Sequence, residues 1–391
     1  MFKRRTLAHV LVFTSFYDQL AWSPIVAWLA VSYGAPDAAA WAATAYSAAN
    51  LFGNVLFGML ADAADRMAVA GVGLVAMVAT SLAHLLPGST AGLVGVRALH
   101  GLAIAGVAPA AMASITDGLP RNQRGAAMAR MGLVIAVASM LATAISGRLL
   151  TSLGAHASVY MLALLAGTAG AFTFAIRRWL EPPPARARDA VQGEPAPGRV
   201  NMPGMLAAGL VAYALMFLQN VLFYAYPLKG HEVGLSSAIV GMTLSAFGLG
   251  AVIAFVPPLS RASDRWGRHQ PIFLGMALAG AGHLGLHYGT TPLAFAVSLF
   301  IYGLGFGLVF PAVSALNADA AGAGRRGVAF GLLSAAFSLG SISGPPVTQA
   351  LSGLASPFSV AGLLGLASAG FVSLWYYLAV RPAQEAARQS A

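Results

Sequence analysis

The chain has 391 residues, of which 58% are hydrophobic and 9% are charged, and its mean hydropathy is +0.75. Because a soluble domain carries about 25% charged residues, this composition excludes a protein whose whole surface faces water. The sequence contains no cysteine, which excludes disulfides, thiolate catalysis and thiolate metal sites. The formal charge of +10 is compatible with a nucleic-acid partner only if the basic residues form one patch.

Apolar runs follow one another along the chain, separated by turn signals. Twelve runs are found, at 7–33, 38–61, 68–86, 91–114, 125–150, 155–177, 204–228, 235–259, 271–289, 291–315, 327–353 and 356–380. A helix needs about 20 apolar residues to cross a hydrocarbon core about 30 Å thick, and none of these runs alternates like a barrel strand. The sequence therefore predicts an all-α membrane protein with twelve transmembrane helices.

Most basic residues lie in the termini and in every second loop. They are Lys3, Arg4, Arg5, Arg66, Arg121, Arg124, Arg177, Arg178, Arg186, Arg188, Arg199, Arg261, Arg265, Arg268, Arg325, Arg326, Arg381 and Arg388. Because cytoplasmic loops carry the excess of Lys and Arg, both termini are predicted to be cytoplasmic, in a bacterial-type inner (plasma) membrane. This distribution argues against a nucleic-acid partner. The basic start and first apolar run are interpreted as an uncleaved first helix rather than a signal peptide.

A polar stretch and an internal repeat divide the chain. Residues 181–201 are rich in proline and charge and predict a flexible linker. Seven residues recur 202 positions later: Asp62, Arg66, Gly101, Pro109, Asp117, Arg124 and Gly125 return as Asp264, Arg268, Gly303, Pro311, Asp319, Arg326 and Gly327. This register predicts a parallel duplication. The expected parts are an N-terminal six-helix bundle (1–178), a cytoplasmic linker (179–203), a C-terminal six-helix bundle (204–380) and a cytoplasmic tail (381–391).

Short motifs carry a family resemblance. The sequence GMLADAADRM begins at Gly58, and its counterpart SRASDRWGRH begins at Ser260. Leu93, Arg97 and Gly101 have the spacing of a helix 4 motif that usually carries Gln where this chain has His100. Together these residues resemble the major facilitator superfamily, and in particular its twelve-helix proton-coupled drug and metabolite exporters. The resemblance implies two pseudo-symmetric six-helix bundles that work by alternating access.

One exporter signature of that superfamily is displaced. The resemblance would place a glycine pattern ending in Gly-Pro in the fifth predicted helix, where this chain has alanine or threonine. The same spacing occurs in the eleventh predicted helix, as Gly331, Gly340, Gly344 and Pro345. This departure leaves the direction of transport open.

The repeated loop motif predicts a cytoplasmic gate. Asp62, at the end of the second predicted helix, is expected to meet Arg66, Arg124 or the amino end of a neighbouring helix only when the cytoplasmic side is shut. The alternative is that these charges only anchor helix ends among lipid headgroups. The predicted gate residues are Gly58, Asp62, Arg66, Arg124, Asp264, Arg265, Gly267 and Arg268.

The membrane interior is predicted to hold one carboxylate. Asp18 lies about eleven residues into the first run, near the middle of the bilayer at roughly 1.5 Å per residue. An acid at that depth is a functional candidate by default. Arg97 and His100, three residues apart, share one helix face, and with Asp18 they form the predicted proton-coupling set, in which Arg97 is the expected countercharge of Asp18. The alternatives are a structural role for Asp18 and simple packing for His100.

Polar and aromatic residues surround Asp18 and its repeat partner Asn220. Such residues suit a partly apolar organic ligand, although aromatic residues at helical spacing are often only packing. The predicted substrate cavity contains Tyr17, Gln19, Trp22, Gln219, Asn220, Phe223 and Tyr224.

The leading hypothesis is a proton-coupled secondary active transporter, an antiporter that exports a drug-like compound or a metabolite such as a siderophore. One alternative is a proton-symport importer, and another is a membrane receptor that kept the fold without transport. An enzyme is not expected, because the sequence shows no catalytic set within the membrane. No cofactor or metal is expected. The expected partners are the lipid bilayer, a small-molecule substrate and protons, and the expected functional form is a monomer.

Overall fold

The structure is a computed structural model, which describes residues 4–32, 38–86, 88–117, 119–180, 201–235, 237–321, 325–350, 355–376 and 378. Most of the predicted linker and the whole predicted C-terminal tail lie outside the described residues.

The first half of the chain folds into long helices, at the positions where the apolar runs were found. They are α1 (Arg4–Ser32), α2 (Ala38–Ala63), α3 (Arg66–Ala83), α4 (Thr90–Ala105), α5 (Ala108–Thr116) and α6 (Arg121–Ile176). The fourth predicted span corresponds to α4 and α5 together. The fifth and sixth spans form α6, which is broken at Gly154, whose positive φ of 83° is a conformation that glycine adopts readily.

The second half repeats this arrangement. Its helices are α7 (Met202–Glu232), α8 (Ser237–Phe255), the short α9 (Ala262–Arg265), α10 (His269–Tyr288), α11 (Pro292–Ala321), α12 (Arg326–Ala350) and α13 (Pro357–Trp375). Hydroxyl side chains cap the starts of several described helices. Ser89 accepts the N–H of Gly92 at the start of α4, and Ser356 accepts the N–H of Phe358 at the start of α13.

The all-α, multi-pass membrane architecture is confirmed. Eight helices among the described residues are long and apolar enough to cross a membrane, and a ninth is reached if Met242–Phe255 and Leu259–Arg265, bent by 61°, form one broken span. Helices occupy all twelve predicted ranges in the described part of the chain. The number of twelve crossings stays a prediction.

The chain divides into two compact units. Unit 1 comprises Met1–Gly118, Leu133–Arg199 and Ala321–Ser338, and unit 2 comprises Leu119–Gly132, Val200–Ala320 and Leu339–Ala391. The start of α6 therefore belongs to unit 2 and the start of α12 to unit 1. Each unit has its own apolar core, built around Trp22 and Ile25 in unit 1 and around Tyr226 and Phe295 in unit 2. The predicted domain boundaries at 178 and 204 stay predictions.

Candidate functional site

The interior of unit 1 contains a buried carboxylate and imidazole in direct contact. Asp18 lies near the middle of α1 and is 1% exposed, and His100 on α4 is fully buried. Asp18 Oδ2 lies 2.7 Å from His100 Nε2. The other carboxylate oxygen, Oδ1, accepts the indole N–H of Trp22 at 3.3 Å. This geometry brings a carboxylic acid and an imidazole within hydrogen-bond distance in the interior of unit 1.

Thr80 on α3 continues this chain of hydrogen bonds. Its hydroxyl lies 2.8 Å from His100 Nδ1 and also 2.8 Å from the carbonyl oxygen of Ala76, one turn earlier in α3. A hydroxyl both donates and accepts, so Thr80 can donate to His100 Nδ1 or accept from it while donating to Ala76. Thr80 was not predicted from the sequence, because its contact with His100 depends on α3 packing against α4.

Aromatic rings enclose the pair. The Trp22 ring lies 4.0 Å from the ring of His84 and 5.3 Å from that of His100. The Tyr46 ring, on α2, stacks against His100 at 6.2 Å between centroids. Four helices, α1 to α4, therefore contribute to one water-poor polar cluster. Apolar walls of this kind strengthen electrostatic interactions inside them.

Arg97 belongs to this cluster but does not contact Asp18 directly. Its guanidinium carbon lies 4.3 Å from the centre of the Tyr46 ring and 5.6 Å from that of Trp22. In the described part of the chain Arg97 forms no ion pair, so the expected pairing of Asp18 with Arg97 is not formed and His100 takes that place. The reason is that the long arginine side chain lies across the face of Tyr46, where cation–π attraction holds it.

A charge network surrounds Asp62 in unit 1. Its two carboxylate oxygens accept the backbone N–H groups of Gly327 at 2.6 Å and Val328 at 2.7 Å, in the first turn of α12. Asp62 also pairs with Arg66 at 3.0 Å, and Arg66 pairs with Asp117. An anion at the amino end of a helix satisfies free N–H groups and complements the helix dipole.

The same network recurs around Asp264 in unit 2. Its oxygens accept the N–H groups of Gly125 at 2.9 Å and Ala126 at 2.8 Å, near the start of α6. Arg268 pairs with Asp264 at 2.6 Å and, through Nε, with Asp319 at 2.9 Å.

An arginine from the opposite half of the chain completes each network. Arg124 contacts Asp319 at 2.7 Å, and Arg326 contacts Asp117 at 3.5 Å. Arg124 was predicted as a possible partner of Asp62, and the ion pair described for it is with Asp319 in the second network. Asp117, Asp319 and Arg326 were not named as gate residues, although the 202-residue repeat already marked them.

Glycines allow the helices at these networks to approach closely. A Cβ atom at Gly58 on α2 would lie 2.6 Å from the carbonyl oxygen of Gly327, and one at Gly331 would clash with the carbonyl of Asn54. Gly340 and Gly344 similarly approach the backbone of α7 at Tyr213 and Phe217. Three glycines of the displaced motif are thus contact points of α12. The Pro345 side chain lies outside the described residues.

Two other predicted gate residues lie in the loop before α10. Gly267 has a positive φ of 86°, which suits the turn that leads into α10. Arg265 is exposed and takes no part in the Asp264 network.

The predicted substrate residues lie in different environments. Tyr17 and Trp22 are 5% and 0% exposed and belong to the core of unit 1, whereas Gln19 is exposed. In unit 2, Asn220 donates to the carbonyl of Met216 at 3.0 Å, and Phe223 is 47% exposed. Gln219 is half-buried, and the Tyr224 side chain lies outside the described residues.

The duplicated helical fold, the buried acid and the paired networks at helix starts define a polytopic membrane transporter architecture. The chain belongs to the Major Facilitator Superfamily, whose family model matches residues 8–218 and again residues 205–391. This assignment confirms the resemblance found in the sequence. It places the chain among transport proteins and not among enzymes.

Several curated proteins share part of this sequence. Multidrug resistance protein 2 of Bacillus subtilis (strain 168) is 32% identical over 137 residues, which are 34% of each chain. The class B tetracycline resistance protein of Escherichia coli is 30% identical over 138 residues, 35% of this chain and 34% of that protein. The multi-drug resistance efflux pump PmrA homolog of Lactococcus lactis subsp. lactis (strain IL1403) is 24% identical over 274 residues, 68% of this chain and 66% of that protein. The chain spans about a third of the length of the first two relatives.

Solved structures show the same fold. The human organic anion transporter MFSD10 (TETRAN) aligns with a TM-score of 0.75 at 18% identity, over 95% of this chain and all of that one. The proton:xylose symporter XylE aligns with a TM-score of 0.76 at 18% identity, over 96% of this chain and 95% of that one. At this identity the likeness concerns the fold alone.

Proposed function

We propose that the protein is a proton-coupled antiporter that exports a small organic molecule. The observation that carries this proposal is the 2.7 Å contact between Asp18 Oδ2 on α1 and His100 Nε2 on α4, both buried in the interior of unit 1. Burying an acid and a base inside a membrane protein costs free energy, which makes such a pair a candidate for a functional role. The two groups are suited to taking up and releasing one proton per cycle.

The pair can exist in two protonation states without movement of its heavy atoms. When it holds the extra proton, His100 Nδ1–H donates to Thr80, whose hydroxyl donates to Ala76, and one proton lies between Nε2 and Asp18. When one proton has left, Nδ1 is unprotonated and accepts from the Thr80 hydroxyl, which has turned toward it, and the remaining proton on His100 Nε2 is donated to ionised Asp18. The distances of 2.7, 2.8 and 2.8 Å suit both arrangements.

Antiport follows if the substrate and the proton compete. Binding of a cationic or hydrogen-bonding substrate near Asp18 is favoured when the carboxylate is ionised and disfavoured when it is protonated. Substrate binding and proton binding therefore oppose each other, as antiport requires. The resistance and efflux functions in the names of the relatives support a drug-like substrate and the outward direction.

The two aspartate networks supply the second requirement, a gate. Asp62 holds the start of α12 and Asp264 holds the start of α6, and in each case the acid and the helix come from opposite halves of the sequence. Alternating access requires such contacts to form in one state and break in another. Each carboxylate makes several charge-assisted hydrogen bonds, worth about 1.5–3 kcal/mol apiece, so the contacts are strong enough to bias that equilibrium.

The experiment uses proteoliposomes with an imposed pH gradient, in which ethidium, a tetracycline and a quinolone are tested as substrates while proton flux is recorded. Asp18→Asn and His100→Gln should abolish accumulation against a gradient but keep downhill exchange. His283→Gln is the matched control, because His283 is also fully buried, but in the described part of the chain its ring nitrogens lie within hydrogen-bond distance only of the carbonyl oxygens of Ala279 and Leu218. Full gradient-driven accumulation by Asp18→Asn would show that Asp18 does not carry the transported proton. Substrate movement with the proton, rather than against it, would favour the importer.

A further inference from the structure

Three arginines line a cavity in unit 2 that the proposed transport cycle does not use. Arg130 extends from α6, and Arg261 and Arg265 lie between α8 and α10. The cavity volume is about 440 Å³, within the roughly 300–1,000 Å³ common for small-molecule sites. All three side chains are exposed, and none forms an ion pair in the described part of the chain.

The chemistry of this cavity suits an oxyanion. Guanidinium groups form paired hydrogen bonds to phosphate oxygens, and the amide side chains of Asn122 and Gln123 add further donors. The one acid in the wall, Asp264, is already engaged by two backbone N–H groups and by Arg268. Its charge is therefore compensated, and the three arginines leave the cavity positive.

A second, more apolar cavity is lined by the residue that follows Arg265. Trp266, the residue after Arg265, is 50% exposed and lines a second cavity of about 580 Å³. Its other walls include Phe273 and Leu274 of α10, which are 43% and 42% exposed. An exposed tryptophan at the end of a membrane helix is typical of the lipid headgroup level. A positive cavity and an apolar cleft lined by consecutive residues at that level match a molecule with an anionic head and a hydrocarbon chain.

We propose that the two cavities form one site for an anionic phospholipid. The headgroup phosphate contacts Arg130, Arg261 and Arg265, and an acyl chain lies along Phe273 and Leu274. Because Arg130 comes from the first half of the sequence and the other two arginines from the second, the bound lipid ties the start of α6 to the α8–α10 connection. It thereby reinforces the hold of Asp264 on α6 and favours the state in which that contact is closed.

The test measures lipid retention by native mass spectrometry and thermal unfolding of the full chain in mixed micelles. Phosphatidylglycerol should be retained and should stabilise the protein more than phosphatidylcholine. Arg261→Gln/Arg265→Gln should weaken phosphatidylglycerol binding by roughly tenfold or more, since charged hydrogen bonds are lost. The control is Arg177→Gln/Arg325→Gln, which removes the same charge from exposed positions outside the cavity.

Further arms separate the lipid from a soluble anion. Phe273→Ala/Leu274→Ala should also reduce retention, and inorganic phosphate or glycerophosphoglycerol should give no comparable stabilisation. Equal loss of lipid in the cavity and control variants would overturn the proposal, because binding would then reflect net charge only. It would also be overturned if inorganic phosphate stabilised the protein as well as the lipid does, since the ligand would then be a soluble phosphate.

Discussion

Asp62 and Asp264, 202 positions apart, make the same contact with different helices. Each accepts two consecutive backbone N–H groups, Asp62 from Gly327 and Val328 and Asp264 from Gly125 and Ala126. The duplication thus preserves an interaction as well as residue types, and in both copies the acid and the helix start come from opposite halves of the sequence. If one of these two equivalent contacts is lost, the other still favours the closed state of the proposed gate.

This redundancy predicts the behaviour of the aspartate variants. Asp62→Asn and Asp264→Asn should each slow transport severalfold and leave ligand binding largely intact, because the amide keeps one acceptor oxygen but loses the charge. The double variant should slow transport more than either single variant does. Transport rate and ligand affinity are measured separately in proteoliposomes.

Asp65→Asn is the matched control for this pair. Asp65 is three residues from Asp62, but among the described residues its side chain pairs only with Arg4, outside the network, so its replacement should have little effect. Unchanged transport in both single variants and in the double variant would remove the gate hypothesis.

The topology gives a second prediction. Reporters fused after Pro184 or at the C-terminus should be cytoplasmic, and reporters near Pro36 or Gly289 should be periplasmic, because the arginines are concentrated in alternate loops. Protease or thiol-reagent accessibility of the reporter is the measurement. A reporter at Pro184 that is accessible from outside would reverse the whole assignment.

The sequence predicts some features well because they are local. Helix positions follow from apolar length alone, and the 202-residue repeat is enough to single out Asp62 and Asp264 as equivalent residues. The buried cluster depends instead on how α1 to α4 pack. No sequence pattern shows that Arg97 lies over Tyr46, or that Thr80 reaches His100, because these contacts join residues that are 51 and 20 positions apart. The sequence therefore indicates Asp18, Arg97 and His100 without their correct pairing.

The position of Arg97 gives a third prediction. Arg97→Lys should impair gradient-driven transport less than Arg97→Ala, because lysine keeps both the charge and an attraction to the Tyr46 ring, worth about 0.5–2 kcal/mol. Tyr46→Leu should reduce the difference between the two Arg97 variants, since the ring that orients the cation is then absent. Equal activity of Arg97→Lys and Arg97→Ala in the wild-type background would show that neither the charge nor its placement matters.

The last prediction concerns Thr80, whose hydroxyl is required in both proposed protonation states. Thr80→Val has nearly the same shape but offers no hydrogen bond, so His100 Nδ1 loses its partner in a buried site, at a cost of about 1–3 kcal/mol. Gradient-driven transport should fall by about tenfold or more, and downhill exchange should persist. Thr80→Ser should restore most of the activity, because the hydroxyl returns.

Thr168→Val provides the control for a simple loss of a helical threonine. The Thr168 hydroxyl is exposed and bonds only to the carbonyl of Leu165 in its own helix, so this variant should transport normally. Proton flux and substrate flux are recorded together in each variant. If Thr80→Val kept full coupled transport, the imidazole would not need a hydroxyl to change its protonation state, and the proton would have to pass between Asp18 and His100 without α3.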